Sequence, residues 1–461
     1  VKIKTVISNY IWPENLPPLV AKTIKKELSI PNPAYEDAVK FKRKVYGISK
    51  YIRPYVEENG KLGIPRGYLN RYLQILNKEG LEIDLVWNTT LYDKKEMKGL
   101  ELREYQKPWV DVMLSEFQGV GQAPPGAGKT IAALEMYLRI GQPCLWLTHT
   151  IGLAEQVAER LFEFSGEEAG FIGAGKVDIK HFTVGIIPTL CRRDLSDYKD
   201  LFGMVIVDEA HHVPAATFFD VTSSFNAHYR FGLTATPYRE DGLQDILFLT
   251  MGPIVTTISK QYLRDIGMLM TPTVIRRPTN FDFPYNNRVK KFNYKALEKA
   301  LGADLTRNEV IATDVIVEAT INNNICIVLV GTIDHGEEMM RILSDIIPDI
   351  GLIHSKQTPK FRKKVRVKFG NGELSVLIAT YKMLAEGFDY KPTNRLFLTA
   401  PFKGRILIEQ ACGRIERISE GKKDAIVYDY VDNNLRVLKE QSEVRMDVYE
   451  ASNNNVITMK I

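Results

Sequence analysis

The segment Ala123-Pro-Pro-Gly-Ala-Gly-Lys-Thr130 follows the short segment Gly119–Ala123 and opens the apolar-periodic stretch IAALEMYLRI. A strand, a glycine-bearing turn and a helix in that order constrain the fold more than any other feature, because they belong to a parallel sheet with crossover helices. Gly126 and Gly128 let backbone N–H groups turn inward around an anion. Lys129 can reach the β- and γ-phosphates of a nucleotide such as ATP, and the Thr130 hydroxyl can bind Mg²⁺. The helix presents its positive dipole end to the same anion. One position departs from the full phosphate-loop pattern, since Ala123 stands where a glycine is expected. The expected nucleotide cradle is therefore Ala123, Pro124, Pro125, Gly126, Ala127, Gly128, Lys129 and Thr130. The bland alternative is a glycine-rich turn with a surface lysine.

Such a loop needs a carboxylate-bearing strand beside it. Val205-Ile-Val-Asp-Glu-Ala-His-His212 is an apolar run ending in adjacent acids. Asp208 at the strand end suits Mg²⁺, and Glu209 can orient and deprotonate an attacking water. Taken alone, an Asp-Glu pair after a strand is more often a cap or a solvated turn; beside the phosphate loop it reads as catalytic.

From about residue 100 onward, short apolar runs alternate with helical patterns. Cys144–Leu147, Val184–Ile187, Met204–Val207 and Phe231–Leu233 form one series. Ile325–Val330, Ile350–Ile353, Val376–Ala379, Leu396–Leu398 and Ala425–Tyr428 form a second. The expected architecture is α/β, with two parallel-sheet domains in tandem after a small α+β domain. The boundaries read as 1–98 for the small basic domain, 99–240 and 306–440 for the two sheet domains, 241–305 for a structured connector, and 441–461 for a tail.

At this point the chain resembles the superfamily 2 helicases, whose carboxylate motif reads DEAH as Asp208–His211 does. The resemblance covers roughly residues 100–430 and implies RecA-like domains and ATP hydrolysis with Mg²⁺. Leu102-Arg-Glu-Tyr-Gln106 is similar to the segment whose Gln reads adenine, which assigns Gln106 to the base. Thr148-His-Thr-Ile-Gly-Leu-Ala-Glu-Gln156 resembles motif Ia, implying strand contacts from Thr150 and Gln156, and Thr183–Leu190 resembles the segment after it. Gly232-Leu-Thr-Ala-Thr-Pro237 resembles motif III, which implies coupling through Thr234 and Thr236. Ala379–Asp389 resembles motif V, bringing Thr380 to the strand and Gly387 and Asp389 to the nucleotide. Gln410-Ala-Cys-Gly-Arg-Ile-Glu-Arg417 resembles motif VI, with Gln410 a coupling residue. Arg414 and Arg417 are spaced for one helix face and are expected to reach the γ-phosphate from the second domain. His211 reads as a relay between the domains.

Tyr238-Arg-Glu-Asp241 is similar to an element of XPB-type helicases, implying a DNA contact for Arg239. The compact layout resembles the UvsW-type helicases of T-series tailed phages and RecG-like motors, which implies action on forks and Holliday junctions. An RNA helicase, a generic duplex-tracking ATPase and a non-catalytic nucleic-acid clamp are the alternatives. A restriction motor is disfavoured, since the chain leaves little room for a nuclease domain beside the motor segments.

The overall charge of +5 names no partner, but residues 1–98 hold 18 Lys and Arg against 11 Asp and Glu. Tyr46, Tyr51, Tyr55, Tyr68 and Tyr72 interleave there with Lys44, Lys50, Arg53, Arg66 and Arg71. Cations neutralise phosphates and aromatic faces stack on bases, so a DNA grip is expected; a solvated surface over a tyrosine core is the plain alternative. The basic run Phe361–Phe369 reads equally as a DNA contact or a solvated helix face. Four dispersed cysteines argue against a zinc or disulfide scaffold. With no secretion signal or long apolar run, a monomer in the cytoplasm, that of the host if phage-encoded, is expected. The absent initiator Met fits removal of a first residue.

Overall fold

The computed structural model describes residues 2–173, 175–209, 215–236, 242–283, 293–386, 392–402 and 404–459. The chain divides into two compact units, Val1–Pro124 with Gly128–Ile258, and Ser259–Ile461 with Pro125–Ala127.

The first unit begins with a five-stranded sheet in the order Val56–Glu58, Lys61–Pro65, Tyr10–Pro13, Lys2–Ile7, Glu82–Trp87. Alternation along Lys2–Ile7 puts Ile3, Thr5 and Ile7 inward, against Val20 and Ile24 of the helix Pro18–Glu27 and Tyr72 and Leu76 of the helix Leu69–Lys78. Tyr68 and Tyr72 are buried in this core, where the Tyr72 hydroxyl is 2.8 Å from Thr5 Oγ1. The plain reading of those two tyrosines is the correct one. Arg66 also departs from a phosphate-binding role: it is buried, and donates to the carbonyl oxygens of Ala227 at 2.6 Å and His228 at 2.9 Å. Arg71 is held by Glu27 at 2.6 Å. A cation with those partners is spent on docking one sheet against the next.

The second sheet of this unit runs Lys176–Asp178, Gly170–Gly173, Phe182–Ile186, Cys144–Thr148, Met204–Asp208, Tyr229–Thr234, Gln118–Gln122, Ile254–Thr257. Only the Lys176–Asp178 edge pairs antiparallel. The continuous apolar runs noted in the sequence are buried on both faces, as helix-covered parallel strands require.

The second unit holds a seven-stranded parallel sheet, ordered Ile350–Ile353, Val376–Thr380, Cys326–Val330, Arg395–Leu398, Ile426–Asp432, Thr273–Thr279, Asn455–Thr458. Its core includes Val274, Leu329, Leu377, Leu396 and Val427. The connector and tail boundaries need correction. Ile254–Thr257 pairs with Gln118–Gln122 in the first unit, Thr273–Thr279 lies inside the second sheet, and residues 441–458 complete the helix Arg436–Ala451 and supply the edge strand Asn455–Thr458. Among the described residues no helix is long and apolar enough to cross a membrane.

Candidate nucleotide and nucleic-acid site

The strands Met204–Asp208, Tyr229–Thr234 and Gln118–Gln122 are consecutive neighbours, so three motif segments emerge at one edge of the first unit's parallel sheet. Carboxyl ends of parallel strands are where ligands of α/β sheets bind. The register fixes the neighbours: Asp208 lies opposite Leu233, Thr234 opposite Gln122, and Ala123 N donates to Thr234 O at 3.0 Å.

The turn after Gln122 carries Gly126 at φ 85° and Gly128 at φ 75°. Both lie in the left-handed region that L side chains avoid, which explains the two glycines. Lys129 is the first residue of the helix Lys129–Ile140, followed by Thr130. Its Nζ donates to Ala123 O at 2.9 Å and Pro124 O at 3.4 Å, and lies 3.7 Å from Glu209 Oε1. Gln106 is buried against the same turn, its Nε2 donating to Gly128 O at 3.3 Å and its Oε1 accepting from Arg103 N at 3.0 Å. A Cβ at Gly128 would run into that Gln106 amide.

Asp208 is buried, and burial together with the Glu209 charge pushes its carboxyl up to about 7, against the pull of Lys129. Glu209 has φ 51°, in the left-handed region, with its N–H on Leu233 O at 3.1 Å. A non-glycine residue held there turns its side chain away from the strand's alternation. No feature of the sequence announces this twist. Thr130 and Asp208 offer only oxygen donors, and a hard divalent cation would relieve the charge crowding at Asp208, so both fit Mg²⁺.

Thr150 caps the helix Ile151–Ser165, its hydroxyl accepting from Leu153 N at 3.3 Å, and Gln156 lies half-buried on that helix. Thr234 is buried and donates to Thr236 O at 2.6 Å. Arg239, Gly387 and Asp389 lie outside the described residues, as does His211.

In the second unit, Thr380 ends the strand Val376–Thr380 and is buried; Gln410 is half-buried on the helix Arg405–Ile415. Arg414 lies in the last turn of that helix, but Arg417 does not continue it. The helix stops at Ile415, and Arg417 forms an antiparallel bridge with Leu269. The expected single helix face for the two arginines is therefore wrong. The cause lies in the partners: Lys422 Nζ donates to Ile415 O at 2.5 Å, Arg417 O at 2.8 Å and Thr393 O at 2.6 Å, collecting carbonyls at the helix end.

The description "Type III restriction enzyme, res subunit" matches residues 99–239, and "Helicase conserved C-terminal domain" matches 309–419. The chain is similar to the Probable helicase D10 of Escherichia phage T5, 28% identical over 400 residues, 84% of each chain. It is 35% identical over 156 residues to the DNA 3'-5' translocase XPB2 of Sulfurisphaera tokodaii, covering 34% of this chain and 35% of that protein. The fragment structure of a putative HsdR subunit of a type I restriction enzyme from Vibrio vulnificus YJ016 aligns over 99% of this chain and 84% of its own, with a TM-score of 0.60 and 18% identity, a likeness of fold. The two family matches fall on the two parallel-sheet units in the order the motifs require, and the chain belongs to the superfamily 2 helicases, ATP-dependent enzymes that bind nucleic acid.

Proposed function

We propose that this helicase is a DNA translocase that unwinds or branch-migrates forked and four-way DNA at the expense of ATP. The observation that carries the ATP reading is the adjacency of three strand ends, which sets Lys129, Asp208 and Glu209 at one edge of a sheet. In this reading the loop N–H groups and Lys129 bind the triphosphate, and Glu209 orients and deprotonates the attacking water. Thr130 and Asp208 would hold Mg²⁺, which offsets phosphate charge when bound. Arg414 and Arg417 stabilise charge that develops during transfer. Gln106, fixed against Gly128, is the adenine reader, and Gly387 and Asp389 complete the nucleotide contacts.

The Thr234–Thr236 hydrogen bond next to the phosphate loop suits relay from nucleotide to strand. Thr150, Gln156, Arg239, Thr380 and Gln410 are the proposed strand contacts and couplers. Thr150 already spends one lone pair on its helix, leaving its hydroxyl proton for a phosphate oxygen.

For DNA in particular, support comes from the similarity to the archaeal translocase and from the amino-terminal domain. Residues 40–53 contain Lys40, Lys42, Arg43, Lys44, Lys50 and Arg53 without an acid. Tyr46 in this segment is 99% exposed and Phe41 is 57% exposed. Arg43 lies 5.3 Å from the Phe41 ring centre. Cations and open aromatic faces on one short segment are the chemistry that holds a phosphate backbone and stacks on unpaired bases. An ATP-dependent unwinding assay comparing a fork, a Holliday junction, a plain tailed duplex and the corresponding RNA tests the reading. Preference for branched DNA supports it. Equal action on all DNA forms reduces it to a generic helicase, and stimulation by RNA alone overturns it.

A further inference from the structure

One residue before Arg417, Glu416 has a fully buried side chain, its Oε1 lying 2.7 Å from Lys260 Nζ and 3.2 Å from Arg264 Nη2. Both cations belong to the helix Lys260–Asp265, the first helix after Ile258–Ser259, where the chain passes from one compact unit to the next. The backbone reinforces the link: Met270 N donates to Glu416 O at 2.7 Å, beside the Leu269–Arg417 bridge. Arg264 is itself fixed at the chain's far end, donating to Asn454 Oδ1 at 2.7 Å and to the carbonyl oxygen of Ser452.

A buried carboxylate shared by two cations gains little net stability over a well-packed apolar replacement, because desolvation offsets the attraction. What it does supply is a directional tie. Apolar packing at this position would hold the segment but leave it free to slide; two charge-assisted contacts from successive turns of one helix do not.

We propose that Glu416 is a positioning residue which, gripped by Lys260 and Arg264, ties the segment bearing Arg417 to the first helix of the second unit. A displacement of that helix is then carried to Arg417 rather than absorbed by the intervening chain. This rests on the reading of Arg417 as the arginine that acts on ATP, and the experiment separates the two.

DNA-stimulated ATP turnover and binding of a fluorescent ATP analogue are measured on the full chain for Glu416→Gln, Lys260→Met, Lys260→Arg, Arg417→Ala and the double variant Glu416→Gln/Arg417→Ala. Misplacing a reacting group slightly costs roughly 10–100-fold in rate, so kcat should fall by that factor in Glu416→Gln and Lys260→Met while KM and analogue binding hold. Lys260→Arg should restore most of the rate, and the double variant should be no slower than Arg417→Ala. Ordinary turnover in Glu416→Gln, or additive losses in the double variant, overturns the proposal. If Glu416→Gln does not fold, Lys260→Met carries the test, since that side chain is 20% exposed. Full activity in Arg417→Ala would sink the reading of Arg417, and a loss confined to Glu416→Gln would then show that Glu416 does not act through it.

Discussion

Lys129 Nζ lies 3.7 Å from Glu209 Oε1, so the amine proposed to bind phosphate and the carboxylate proposed to activate water face each other at the same sheet edge. Burial keeps them there: their side chains are 9% and 20% exposed. Under the proposed function, a triphosphate in the loop would compete with Glu209 for the ammonium and free the carboxylate to act as a base.

The first prediction follows from that pairing. Glu209→Gln removes the base and the competitor together. ATP binding should hold or tighten, while turnover falls by about 10²–10⁴-fold, the usual contribution of a positioned base. Nucleotide titration beside steady-state phosphate release gives both quantities, and normal release by the variant would refute the assignment.

Arg417→Ala should leave ATP affinity within a few-fold and reduce turnover by roughly 10³-fold or more, as expected where a cation acts on charge formed in the transition state. A large loss of binding with little effect on rate would remove Arg417 from that role.

Arg66 predicts a stability effect without a DNA effect of its own. Its guanidinium serves the carbonyl oxygens of Ala227 and His228, and Gln118 Nε2 returns a bond to Arg66 O at 3.0 Å. Arg66→Ala strands one buried and one half-buried acceptor, at a cost of roughly 2–4 kcal/mol. Urea unfolding should report it, together with faster proteolysis at 93–99, where the structure shows no regular element. An unchanged unfolding curve would contradict the docking role.

Tyr46→Ala paired with Lys44→Ala should do the reverse. Both side chains are exposed, so melting should not move. DNA affinity should drop, and the slope of log affinity against log salt should shrink by about one for the lost lysine. Unaltered fork binding at low salt would dismiss this segment as a contact.

The fifth prediction returns to the second unit, through His335. Burial, with Arg307 nearby, pushes this imidazole down to about 3, and its Nε2 is 3.1 Å from Asn308 Oδ1. The unfolded chain takes up a proton near pH 6.5, the folded chain only near pH 3, so between them the unfolded state binds more protons and stability falls as pH falls. The loss approaches about 1.4 kcal/mol for each pH unit below 6.5. Thermal melts at pH 7.5 and pH 5 should show a wider gap for the native chain than for His335→Gln; equal gaps would reject the assignment.

The amino-acid pattern alone placed the Asp208 and Thr234 strands and their class, because the apolar runs Val205–Val207 and Phe231–Leu233 lead directly into those residues. It also set the two glycines of the turn, since only they adopt φ 85° and 75° without strain. Local pattern could not show that Thr273–Thr279 is a sheet strand. Its Arg276 and Arg277 break any apolar run, and they are paired with Asp429 and Asp314, partners distant in the chain. Nor could spacing reveal that Arg417 leaves its helix, that Glu209 twists out of the strand, or that Arg66 is a buried strut while Tyr46 stands open. Periodicity records which face a residue prefers; where a charge finds its counter-charge is settled only when distant segments pack.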